Sequence, residues 1–321
     1  MIDLLNLQPT VISRDLRSKY LLIYGQPKVG KTSFAAQLPN NLIFSFEIGT
    51  NALSGIYALP ITKWSDLKIA IKQLEKPEAR EKFHTVTFDT VSVAYSLCEK
   101  YICAQNGVQS IGDIPYGKGY MLTRIEFEET LRKISMMGLG IILIAHASRR
   151  VEKQADDSEI EFFSPDLDKR CYAIVNQLVD IIGYIDIVFN EDGSTSRWLY
   201  TRRTPTVMAG SRWKYLDPKI PFGYQELVDA IGRAIERAEK DDGAVVVDER
   251  AITTEKERSY DEIRNEAESL WGKLIEKNPE NADKIMAVVE KVFGQRIKLS
   301  SITPNQKDLY ELVVAEMRDL L

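Results

Sequence analysis

Eight consecutive residues constrain this chain more than any others: Gly25-Gln26-Pro27-Lys28-Val29-Gly30-Lys31-Thr32 fits G-x-x-x-x-G-K-[ST] at every fixed position. The stretch follows an apolar run, Tyr20-Leu21-Leu22-Ile23-Tyr24, and opens a helical one, Thr32-Ser33-Phe34-Ala35-Ala36-Gln37-Leu38. Strand, glycine loop and helix in that order let backbone N–H groups curl around phosphate, and the helix start adds a favourable dipole. Gly25 through Thr32, with Ser33, are therefore the candidate nucleotide-binding residues. Lys31 supplies positive charge, and the Thr32 hydroxyl can ligate Mg²⁺.

A loop of this kind needs a sheet behind it, and the surrounding pattern supplies one. Leu42 to Phe46 is a short apolar run, with a helix from about Trp64; Val86 to Phe88 precedes a helix from about Val91; Ile141 to Ala145 follows a helix through Ile125, Leu131 and Ile134. Strands alternating with amphipathic helices imply an α/β fold with a mostly parallel sheet covered on both faces. Apolar residues are 44% of the 321, enough for a sizeable core. No run approaches the roughly 20 apolar residues of a bilayer span, and the first residues lack a secretory pattern. Three cysteines without C-x-x-C spacing and two histidines argue against a disulfide framework or a zinc centre. A cytoplasmic setting is the expectation.

Charge marks a boundary. Residues 239–321 hold 19 acidic and 13 basic side chains, a net of −6, whereas the remainder is close to neutral. The stretch 240–258 is charged and without apolar period, so it reads as a linker between a core, 1–239, and a helical module, 259–321. In that module Ile263, Leu270, Trp271 and Leu274, then Ile285, Val288, Val289 and Val292, then Leu309, Leu312, Val313, Met317 and Leu320 fall at helical spacing.

Three further polar residues end apolar runs, where ligands of open parallel sheets bind. Asp89, after His84-Thr85-Val86-Thr87-Phe88, is placed to serve as a second metal-side carboxylate; the alternative is a helix cap. Glu47, after Leu42-Ile43-Phe44-Ser45-Phe46, is placed to polarise an attacking water, or is a solvated loop carboxylate. His146, after Ile141-Ile142-Leu143-Ile144-Ala145, can sense the γ-phosphate or be a hydrogen-bonded structural histidine.

The order of these parts resembles the ATPase core of RecA-type recombinases and DnaB-type helicases. With Tyr116-Gly117-Lys118-Gly119-Tyr120 and Ala209-Gly210-Ser211-Arg212, residues 18–235 more closely resemble phage nucleotide-binding proteins labelled AAA-family ATPases, a group that includes core-only RecA relatives acting as single-strand annealing recombinases. The resemblance implies ATP and Mg²⁺ as cofactors, Lys31, Glu47, Asp89 and His146 as catalytic residues, and Thr32 and Asp89 as metal ligands. It also implies single-stranded DNA as partner, a ring or filament of identical subunits, and the host cytoplasm as location. His146 departs from the glutamine of RecA itself.

DNA contacts in such proteins come from loops, and two are candidates: Gln105 to Tyr120, with Lys118, and Arg149 to Asp168, with Arg149 and Arg150 followed by an acidic run. From Gly193 to Leu216 there are five basic residues and no acidic one, interleaved with aromatics. This suggests a hairpin in which Arg202, Arg203, Arg212 and Lys214 touch phosphate, or Arg212 or Lys214 reaches a neighbouring subunit's ATP, or arginines are solvated above an aromatic core. The acidic module suits a phage recombination or replication protein as partner. The expectation is an ATPase annealing or exchanging strands; the alternatives are a replicative helicase or loader, and a nucleotide-gated switch with little turnover.

Overall fold

The computed structural model describes residues 11–13, 16–17, 19–47, 49, 53–153, 157, 159–247 and 258–321. The strands are β1 (Ile12–Ser13), β2 (Tyr20–Gly25), β3 (Asn41–Ser45), β4 (Tyr57–Pro60), β5 (Thr85–Asp89), β6 (Gly140–Lys153), β7 (Glu159–Pro165), β8 (Ile181–Phe189), β9 (Thr195–Tyr200), β10 (Gly210–Ser211), β11 (Lys219–Pro221) and β12 (Val246–Val247). The helices are α1 (Lys31–Gln37), α2 (Trp64–Leu74), α3 (Pro77–Lys82), α4 (Val91–Gln105), α5 (Lys118–Met136), α6 (Lys169–Leu178), α7 (Tyr224–Asp242), α8 (Tyr260–Lys277), α9 (Asn281–Phe293) and α10 (Lys307–Asp319).

The main sheet runs β11-β9-β8-β2-β6-β5-β3-β4, parallel from β8 to β4 and antiparallel at the β8-β9-β11 edge. The mostly parallel α/β core read from the sequence is therefore present. Alternate residues of β2 serve opposite faces. Leu22 and Tyr24 join a core with Trp64, Tyr95, Phe127 and Val175 from α2, α4, α5 and α6. Leu21 and Ile23 join another with Phe34 of α1 and Leu227, Ile231 and Ile235 of α7. Helices on both faces explain why the central strands read as unbroken apolar runs.

The threonines interrupting β5 have a use. Thr85 Oγ1 donates to Asn41 Oδ1 at 2.9 Å, and Asn41 Nδ2 donates to Thr87 Oγ1 and to the Ala35 carbonyl. These buried polar groups satisfy one another, as burial demands, and tie the end of α1 to β3 and β5.

The chain divides into two compact units, Met1–Thr254 and Glu255–Leu321. The expected linker, 240–258, differs at its start: residues 240–242 finish α7, and Val246–Val247 pairs in parallel with Ile12–Ser13. The apolar period of α7 carries it past the charge cluster, and the valines supply a strand; residues 248–257 lie outside those described. In the second unit the three expected helices form. Ser259 and Glu262 cap α8 reciprocally, and Ile263, Leu274, Ile285, Val289, Tyr310, Val313 and Met317 fill one core. Leu309 and Leu312 face outward instead; Tyr310 and Val314 take the inner positions.

Candidate nucleotide site

Register does the assembling. Gly25 of β2 pairs with His146 of β6, Asp89 of β5 with Ile144 of β6, and Ser45 of β3 with Asp89. Four neighbouring strands thus deliver the glycine loop, Asp89, Glu47 and His146 to one carboxyl edge of the sheet, and α1 presents Lys31 and Thr32 there.

Gly25 leaves little room for a side chain, because an added Cβ would lie 3.0 Å from the Ile185 carbonyl oxygen. Gly30 has φ of 102°, a left-handed conformation that favours glycine, and its Cα is covered by the Arg197 guanidinium. Gln26, Pro27 and Lys28 are exposed between them, and Val29 and Lys31 are buried. Lys31 Nζ donates to the carbonyls of Gly25 at 2.9 Å and Gln26 at 2.8 Å, so its charge is folded into the loop. Burial pulls the Lys31 pKa down, opposed by the charges of Asp89 and Glu47.

Thr32 Oγ1 donates to Asp89 Oδ2 at 2.6 Å. Burial pushes the Asp89 carboxyl up, against the Thr32 hydrogen bond; Glu47 raises it further, and Lys31 and His146 oppose. The cap alternative for Asp89 is not realised: Thr90 occupies the N-cap position of α4. The Thr90 hydroxyl makes no cap either; it donates to Glu47 Oε1 at 2.6 Å. Glu47 Oε2 lies 3.5 Å from His146 Nε2, and His146 Nδ1 is buried without a partner among the described residues. Lys31, Thr32, Glu47, Asp89 and His146 are thus brought together; Ser33 follows on α1 and is exposed.

The donor set fits a hard cation and a phosphate chain. Among the described residues no three His, Cys, Asp or Glu side chains gather as a metal cage. Thr32 and Asp89 offer only oxygen, the partial ligand set that Mg²⁺ completes with water and phosphate. The exposed loop and inward-held Lys31 ammonium suit an anion between them.

The remaining basic candidates are spread out. Arg202 donates to the Ser211 carbonyl at 2.9 Å, the Lys214 carbonyl at 3.1 Å and also the Trp213 carbonyl. Arg212 donates to the Leu178 carbonyl and Asp180 Oδ1, each at 3.3 Å, and to the Gln177 carbonyl, closing the end of α6. Lys214 pairs with Asp242 at 2.9 Å, and Arg203 with Glu152 at 3.1 Å. The expected basic-aromatic hairpin is not one: β9 pairs with β8 and β11, while β10 pairs with β8. The turn residues Asn190 to Ser194 make the β8–β9 hairpin instead, closed by Asn190 and Ser194.

The two expected loops also differ. Lys118 is the exposed first residue of α5, after short turns at Ile111–Asp113 and Pro115–Gly117. Arg149 and Arg150 lie within β6, paired with Phe163 and Phe162 of β7, because alternation continues on both sides of the turn. The acidic run there partly neutralises its basic neighbours: Arg149 pairs with Glu161 at 3.6 Å, and Lys153 with Asp157 at 3.0 Å. Arg150 donates to the Leu167 carbonyl at 3.3 Å.

Three residues outside the site set read from the sequence, Thr90, Arg197 and Phe222, adjoin the site. Arg197 of β9 donates to the Val29 carbonyl at 3.4 Å, and Phe222, beneath its guanidinium, stacks on Phe34 of α1. Thr90 was legible only as the residue following a strand carboxylate; no local signal in the sequence points from Arg197 to a loop 168 residues earlier.

Among solved structures, the flagellar accessory protein FlaH from Methanocaldococcus jannaschii aligns with 64% of this chain and 85% of its own, at 13% identity and a TM-score of 0.37. The SPbeta prophage-derived uncharacterized protein YorG of Bacillus subtilis (strain 168) is 29% identical over 331 aligned positions, covering 100% of this chain and 99% of that protein. The family model described as AAA domain matches residues 17–213, more than half of the chain and every residue of the candidate nucleotide site read from the sequence, and the chain belongs to that AAA domain family.

Proposed function

We propose that this chain is an ATP- and Mg²⁺-dependent phage ATPase that acts on single-stranded DNA, promoting annealing or strand exchange as a homo-oligomer in the host cytoplasm. The observation that carries the ATPase reading is the convergence of Lys31, Thr32, Asp89, Glu47 and His146 on one sheet edge. When bound, Mg²⁺ would neutralise charge on the β- and γ-phosphate oxygens. Thr32 and Asp89 would hold it. Lys31 exchanges its loop carbonyls for phosphate oxygen. Glu47, aimed by Thr90, takes the proton of the attacking water, and His146 couples the edge to β6.

The prophage origin of a full-length relative supports the phage setting. The DNA role draws on the sequence resemblance and on the aromatic and basic side chains around β7, β8 and β9. β6 runs without interruption from Gly140 through His146 to Lys153, which favours a second reading: a nucleotide-gated switch with little turnover.

ATPase rate with and without single-stranded DNA separates these readings. The proposal expects stimulation and its loss in Lys31→Ala. An unstimulated, slow rate with nucleotide-dependent DNA binding would favour the switch, and parental turnover by folded Lys31→Ala would overturn the site. Duplex unwinding that requires ATP would indicate a helicase instead.

A further inference from the structure

A cavity of about 280 Å³ opens between strands far apart in the sequence: Phe163 from β7, Tyr184 and Asp186 from β8, and Tyr200 from β9, with Thr204 and Thr206 alongside. Tyr184 is 2% exposed and flanked by both neighbours. Its ring centre is 5.3 Å from that of Phe163, nearly parallel at 13°, and 6.3 Å from that of Tyr200. Burial pushes the Tyr184 phenol up to about 12, so it stays protonated at neutral pH. The Asp186 carboxylate is half-buried and has no hydrogen-bond or ion-pair partner among the described residues. A carboxylate partly removed from water gains from an N–H donor.

Aromatic walls suit a flat ring, and the lone carboxylate suits its N–H groups. A cationic side chain would satisfy the carboxylate as well, but two cations already lie on the walls. The Arg149 guanidinium is 5.4 Å from the centre of the Phe163 ring, and Lys219 Nζ is 4.9 Å from that of Tyr200. Lys219 and, less strongly because Glu161 pairs with it at 3.6 Å, Arg149 repel a cation and attract a group tethered to phosphate. An unpaired base does both things at once: its ring stacks on aromatic side chains and its backbone meets basic ones.

We infer that this cavity receives one unpaired nucleobase carrying an exocyclic amine, whose N–H groups donate to Asp186 while the flanking phosphates meet Arg149 and Lys219. Guanine fits best, because its amine and adjacent ring N–H present two donors to one carboxylate; thymine has no exocyclic amine to offer. The site lies beside the strand that feeds the nucleotide loop: Tyr184 packs on Tyr24, 5.1 Å between ring centres, and the Tyr24 hydroxyl donates to the carbonyls of Phe163 and Met208. The inference rests on the single-stranded DNA reading and adds base selection to it.

The test is fluorescence anisotropy of the full chain with labelled oligo(dT) and with the same oligonucleotide carrying dG at interior positions. The parent is expected to bind the dG-containing strand roughly tenfold more tightly, the discrimination of one good base contact, and Asp186→Asn to lose that preference while still binding both. Tyr200→Ala should weaken both strands by about tenfold and Tyr200→Phe should restore them. Matching thermal midpoints establish folding, and if Tyr200→Ala does not fold, Asp186→Asn and Tyr200→Phe carry the test. Equal binding of both strands by the parent, or an unchanged preference in Asp186→Asn, overturns the base site while leaving the DNA reading in place. No binding of either strand at low salt overturns both. Calorimetric binding of arginine methyl ester to the DNA-free protein, lost in Asp186→Asn, would make this a cation site and overturn the inference.

Discussion

At the scale of single residues, the site is a set of charges held in tension. Glu47 owes its orientation to Thr90 on one oxygen and faces His146 with the other. In Glu47→Gln the amide oxygen still accepts from Thr90 and only the basicity is lost. Turnover should fall by roughly 10²- to 10⁴-fold, the range for a general base, while nucleotide affinity measured by calorimetry stays within about twofold. Equal loss of both would make Glu47 structural. Asp89 gives a stability prediction with a definite sign. Its carboxyl is raised chiefly by burial, so the folded state keeps the proton to higher pH than the unfolded chain does. Stability is therefore lost as pH rises from the ordinary carboxylate range through the raised value. Asp89→Asn removes that loss. Without nucleotide and Mg²⁺, its thermal midpoint should exceed the parent's by a few degrees at about pH 8 and converge with it towards about pH 4; a variant that melts lower at both pH values would contradict the sign.

At the scale of elements, the arginines that read as a DNA face divide into two kinds. Arg202 satisfies three carbonyls of the 211–214 stretch, and Arg212 closes α6, so both hold backbone in place. Arg203 and Arg149 remain mostly exposed. Arg202→Ala leaves those carbonyls without their donor and should cost about 1–3 kcal/mol of stability, visible as a lower midpoint in urea at unchanged m-value. Arg203→Ala should leave the midpoint within about 0.5 kcal/mol; if the two variants melted alike, the division would fail. This is where sequence reading reached its limit. The glycine loop was legible because its eight residues are contiguous, and Asp89, Glu47 and His146 because each ends an apolar run. Which backbone carbonyls an arginine meets depends on strand pairing, which a basic stretch does not encode: β9 takes β8 and β11 as neighbours, and residues 202 and 211 meet only through that arrangement. The edge strand β4, Tyr-Ala-Leu-Pro, carries too weak an alternation to be read, and the aromatic cavity joins Phe163 to Tyr200 across the sheet.

At the scale of the whole chain, composition and structure divide the molecule in nearly the same region. The candidate nucleotide-site residues read from the sequence all precede residue 147, and the core of the second unit draws only on residues from 260 onward. That core is closed by its own devices: the Ser259–Glu262 cap, the Tyr260 hydroxyl on the Ile302 carbonyl at 2.5 Å, and Glu266 shared by Arg258 and Arg318. A chain ending at Val247 keeps β12 with its partner β1 and loses none of the residues proposed to bind nucleotide. It should therefore fold and bind ATP with an affinity within about twofold of the full chain, a change too small to register as a lost contact. Residues 258–321 alone should be helical but only marginally stable, since a unit of this size buries a small core. Calorimetry of both pieces with Mg²⁺ and ATP tests this directly: a loss of more than about tenfold in the shortened chain, about 1.4 kcal/mol, would mean that the acidic unit contributes to the nucleotide site, and the separation of function along the chain would have to be abandoned.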